Sequence, residues 1–127
     1  MDAIKIVKPI GCHLWTDKYL GKADLAPLRR VREYIHDDHL IRALMECSQC
    51  GQKYYYEFYE EIDWKGGNDP QYRTYIPIEE DEQTVEKLNA MSSLELLGLS
   101  PRLQSDWKVN QKEYPDQLIW IGFPNPT

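Results

Sequence analysis

Between Tyr54 and Trp64 the side chains alternate with a period of two, and this stretch most limits what the chain can become. Tyr54, Tyr56, Phe58, Ile62 and Trp64 fall on one side, with Glu60 as the exception. Tyr55, Glu57, Tyr59, Glu61 and Asp63 fall on the other. Such alternation describes a strand with an aromatic inner face and an acidic, tyrosine-bearing outer face. Gly66-Gly67-Asn68-Asp69-Pro70 follows as a turn cluster, and Tyr72 to Ile78 reads as the returning antiparallel strand.

Other elements are read from local pattern. Ala3 to Val7 is short and β-branched, with Pro9 behind it, which suggests an N-terminal strand. Asp24 is placed to cap a helix over Leu25 to Ile35, with Pro27 in its first turn and Leu25, Leu28, Val31 and Ile35 at helical spacing. A strand over Val31 to Ile35 competes with that reading. His39 to Glu46 reads as a strand, although Ile41 to Met45 also fits a helix. Thr84 to Ala90 reads as a helix, and Ser92-Ser93-Leu94-Glu95 has the capping-box pattern of another, ended by Gly98. Leu88, Met91, Leu94 and Leu97 are expected to face the sheet. Leu118 to Phe123 is a continuous apolar run of strand size. Hairpins segregated from helices predict an α+β fold, an antiparallel sheet with a few short helices, in one domain over residues 1–127.

The most specific motif is Cys47-Ser48-Gln49-Cys50-Gly51. Two thiols on a tight turn can converge on one tetrahedral ion, and a glycine after the second allows the left-handed backbone such a turn requires. From Met45 to Tyr54 the segment resembles one half of a zinc ribbon or rubredoxin-type knuckle, which reverses the chain between two antiparallel strands. The resemblance implies a bound Zn²⁺. The chain departs from the family pattern in lacking a second CxxC, so further ligands must come from elsewhere. Cys12 and His13 are the candidates, with Asp17 or water in reserve. His39 lies eight residues before Cys47, about 26 Å along an extended strand, and His36 lies farther still, so both are too remote. The expected metal set is Cys12, His13, Cys47 and Cys50. The bland alternative is a reduced, unliganded pair. A redox CxxC normally precedes a helix, whereas a strand is expected here.

Charge and composition narrow the function. The chain carries a net charge of −6. From Glu57 to Glu82 nine acids face two bases, a local −7, while the remainder is nearly balanced. This disfavours nucleic-acid backbones and favours a basic partner. No apolar run reaches the roughly 20 residues of a membrane span. The absence of a secretory signal and the odd count of three cysteines point to a reducing, cytoplasmic setting. No HExxH, deaminase signature, phosphate loop or nucleophile triad is present.

The reading that follows is a non-enzymatic protein-binding module with a structural zinc knuckle, for example an inhibitor or immunity-type protein. It would meet a basic protein on the acidic face at Glu57, Tyr59, Glu61 and Asp63. The alternatives are a small enzyme with an open Cys/His zinc site, and an accessory factor touching nucleic acid through a helical face bearing Arg29, Arg30 and Arg32.

Overall fold

The computed structural model describes residues 4–61, 70–107 and 117–123. Among them are seven strands: β1 (Tyr19–Gly21), β2 (Leu28–His36), β3 (Leu40–Cys47), β4 (Lys53–Glu60), β5 (Gln71–Ile78), β6 (Arg102–Trp107) and β7 (Gln117–Ile121). They form one antiparallel sheet in the order β1-β7-β6-β5-β4-β3-β2. Two helices, α1 (Glu82–Ala90) and α2 (Ser93–Leu96), connect β5 to β6. The expected α+β class is thereby corrected: the protein is nearly all-β. No helix among the described residues is long and apolar enough to cross a membrane.

The largest local correction is at residues 25–35. The expected helix is strand β2, paired with β3 from Leu28↔Cys47 to His36↔Ile41. Its register shifts between Arg30 and Arg32 and again between Glu33 and Ile35, so Val31 and Tyr34 are extra residues. Two bulges in nine residues destroy the period-2 pattern and leave apolar residues at spacings that imitate a helix. β2 is an edge strand, and its bulges and arginines are the features that keep an exposed edge from pairing with another chain. Strand β6 carries no apolar alternation; Gln104 and Ser105 are buried there, and Gln104 Oε1 accepts from Thr74 Oγ1 at 3.0 Å and from Arg102 Nε at 3.1 Å. The expected strand at Ala3 to Val7 reduces, among the described residues, to a single bridge, Ile6↔Ile78.

Both faces of the sheet are covered. On one, Ala43, Tyr56, Tyr75, Leu103 and Trp120 lie in a continuous cross-strand row. The N-terminal segment straps over that face: Leu14 is fully buried, its carbonyl accepts from Trp120 Nε1 at 2.6 Å, and the ring of Trp15 meets that of Trp120 edge-on at 4.8 Å. On the other face Leu88 and Leu96 pack against Leu44, Tyr55, Ile76 and Ile78. Asp81 caps α1 by accepting from Gln83 and Thr84, and Ser92 with Glu95 forms the expected capping box on α2. The buried leucine of α2 is Leu96. Leu94, expected to face the sheet, is 81% exposed.

A buried ion pair fastens these helices. Arg42 and Glu57 are direct cross-strand partners, only 3% and 2% exposed. Arg42 Nε donates to Glu57 Oε2 at 3.0 Å. The rest of the guanidinium donates to the carbonyls of Leu88, Asn89 and Met91 at the end of α1, at 3.3, 3.0 and 2.7 Å. A cation at a helix C-terminus satisfies carbonyls left open there and complements the dipole. Ser93 Oγ at the start of α2 donates to Glu57 Oε2 at 2.9 Å.

Removing the cation leaves a carboxylate buried without its charge partner. Arg42→Ala is therefore expected to lower stability by about 3–5 kcal/mol, read as a lower midpoint in urea unfolding. Arg42→Lys should recover only part of it, because one ammonium cannot span a carboxylate and three carbonyls.

Candidate metal centre

The knuckle forms the β3–β4 connection. Cys47 N donates to the carbonyl of Gln52 at 2.9 Å, and Gly51 N to that of Cys47 at 2.8 Å. Gly51 has φ of +82°, a conformation that glycine adopts without steric cost. Ser48 N donates to the carbonyl of Pro27, tying the turn to the entry of β2.

The N-terminal strap delivers the other ligand atoms. Cys12 N donates to the carbonyl of Pro9, and Trp15 N to that of Cys12, so the segment coils tightly just before Leu14 plugs into the core. This brings Cys12, His13 and Cys47 together, with their ligand atoms all within 4.8 Å of one another, a group able to hold a metal ion. His13 Nδ1 lies 3.9 Å from Cys12 Sγ and 3.7 Å from Cys47 Sγ. Cys50, the fourth expected ligand, is exposed and lies outside this group, although its thiol is close enough to influence the ionisation of both Cys12 and Cys47. Cys12 and Cys50 line one cavity of about 330 Å³ with Gly11, Gly51 and Gln52.

The surroundings orient these groups. The carbonyl of Asp24 lies 2.7 Å from His13 Nε2. A carbonyl only accepts, so Nε2 carries the proton, and in the neutral ring Nδ1 presents a lone pair toward the two thiols. Tyr54, fully buried, donates its hydroxyl to Cys12 Sγ at 3.1 Å. Burial and the adjoining thiols push the Tyr54 phenol upward, which keeps it a donor. Burial pushes the Cys12 thiol up to about 11, against the pull of the Tyr54 hydroxyl and the Leu14 backbone. Cys47 is also penalised by burial, but backbone N–H groups of Gln49 and Cys50 and the thiols of Cys50 and Cys12 outweigh this and hold it below its ordinary value. Of the two buried thiols, the pocket thus favours the thiolate at Cys47 over that at Cys12.

The remaining candidates fall elsewhere. His39 Nδ1 lies 2.8 Å from Glu60 Oε1, and His36 pairs with Glu33. Glu60, the exception to the alternation, is bonded by His39 and by Gln71 Nε2 at 2.7 Å. Of the expected partner-binding residues, Glu57 is corrected: only 2% exposed, it is committed to the buried pair with Arg42 rather than to an open acidic face. Its strand face is covered by α2, which alternation along β4 alone does not foretell. Tyr59 is half-buried and stacked with Tyr72, Glu61 is exposed, and Asp63 lies outside the described residues. Arg29 pairs with Glu46, and Arg30 with Glu33, on an edge strand rather than a helix. The arginine whose role the sequence reading missed is Arg42; its only signal is a lone charge among the apolar residues of Leu40 to Met45.

Compared with protein-family models, with curated proteins and with solved structures, the chain shows no significant match.

Proposed function

We propose that the Cys/His group holds a structural Zn²⁺ and that the protein is a non-enzymatic binding module for a basic protein partner in a reducing compartment. The observation that carries the zinc assignment is the orientation of His13. Its Nε2–H is committed to the Asp24 carbonyl, and its Nδ1 faces two thiols at 3.7 and 3.9 Å. Zn–S bonds of about 2.3 Å and Zn–N bonds of about 2.0 Å at tetrahedral angles separate S from N by about 3.5 Å. The ligand atoms therefore stand close to the edges of a zinc tetrahedron. A carbonyl holding the far nitrogen of a ligating histidine is the usual supporting partner of such a site. Cys50 is the fourth ligand in this reading. Soft thiolates with imidazole suit zinc rather than magnesium or calcium.

The donor set also supports a structural role. No carboxylate joins the group among the described residues, so nothing there is placed to activate a zinc-bound water. With three thiolates and one imidazole the coordination is closed. The ion would cross-link the N-terminal strap to the β3–β4 turn, two segments more than thirty residues apart. That fastening supplies stability that the strap, with little regular hydrogen bonding of its own, otherwise lacks. The partner half of the reading rests on the −7 charge between Glu57 and Glu82 and on the exposed carboxylates within it.

Protein purified without added zinc should contain close to one equivalent by elemental mass spectrometry. A chelator should then lower the thermal midpoint, and Cys47→Ser should lose the ion. Metal-free protein whose stability ignores the chelator would contradict the assignment.

Tyr54→Phe removes the hydroxyl donor to Cys12 while keeping the ring. It should weaken zinc affinity by about tenfold or more, measured by competition with a chromogenic chelator.

A further inference from the structure

The helices cover the sheet only as far as Glu57. Beyond it, on the same face, Tyr59 pairs across to Tyr72, and Tyr72 to Asp106. The tyrosine rings are stacked, 6.1 Å between centroids and 17° between planes. Together with Leu94 and Leu97 of the α2 region and with Glu57 and Glu61, they line an open groove of about 330 Å³. Leu94 is 81% exposed, a large apolar side chain that the fold leaves without cover.

We propose that this groove receives an arginine side chain from an extended segment of a basic partner protein, an inference that rests on the binding-module reading above. Each wall recognises a different part of that side chain. The aliphatic stem lies against Leu94 and Leu97, as long cationic side chains do on apolar surface. The planar guanidinium stacks on the tyrosine faces, which attract cations. The charge is answered by Glu61, the exposed carboxylate that lines the groove. Glu57, deeper in the groove, is already matched by Arg42 and Ser93, whereas Glu61 belongs to no ion pair among the described residues. Phosphate or an acidic peptide would meet like charge. A wholly apolar segment would desolvate Glu61 without compensation.

The test is a two-dimensional amide NMR titration of the intact protein at low salt. The probe is a capped five-residue peptide, Ala-Leu-Arg-Leu-Ala, and the control replaces its arginine by uncharged, isosteric citrulline. The expected result is shift changes centred on Tyr59, Glu61, Tyr72 and Leu94. Citrulline, Glu61→Gln or Leu94→Ser should each weaken binding by about three- to tenfold. Glu61 and Leu94 are exposed, so neither substitution should disturb folding. Equal binding of the citrulline peptide, or indifference to both substitutions, overturns the arginine site. Shifts centred instead on Glu79, Glu80 and Glu82 overturn the groove but leave the basic-partner reading standing. No binding at any surface overturns both.

Discussion

A single guanidinium ties together most of what surrounds it. Arg42 sits opposite Glu57 in the β3–β4 ladder, and both are almost completely buried. A buried charge pair contributes little net stability compared with an apolar substitute, but it is intolerant of misplacement. A one-residue slip of β4 on β3 would turn every side chain to the opposite face and bury an unmatched charge. The pair thus pins the register of the hairpin. The same guanidinium closes the end of α1, and the same carboxylate receives Ser93 at the start of α2. The helical layer is fastened to the sheet at the point where the sheet's own register is set.

The placing of the Cys/His group follows from that register. With Arg42 opposite Glu57, Cys47 falls at the end of β3, its side chain on the face away from the helices. The N-terminal strap covers that same face, held by Leu14 and by the ring contacts of Trp15. Cys12 and His13 precede Leu14 directly, so seating the plug also brings their side chains to Cys47. Two layers on opposite faces therefore divide the work: the strap carries the Cys/His group, and the helices leave one end of their face open as a groove.

Features fixed by a few neighbouring residues were legible in the sequence. The knuckle, the alternating strand after it, the capping box of α2 and the apolar strand near the C-terminus each carry their own local signal. Convergence of Cys12 and His13 on Cys47 was reachable only by eliminating the other histidines. Bulges hid β2, because Val31 and Tyr34 interrupt the alternation that would have revealed it. Polar residues hid β6, because the partners that make Gln104 and Thr74 acceptable inside lie on different strands. Glu57 was misplaced for a related reason. Its neighbours in sequence describe an acidic outer face, while the helix that buries it comes from more than thirty residues later. In α2, one turn of helix is too short for leucine spacing to decide between Leu94 and Leu96.

The zinc assignment is tested most directly by X-ray absorption at the zinc edge on protein purified without added metal. The account predicts three sulfur neighbours at about 2.3 Å and one nitrogen at about 2.0 Å. A shell dominated by oxygen, or a protein that carries no zinc at all, would contradict it.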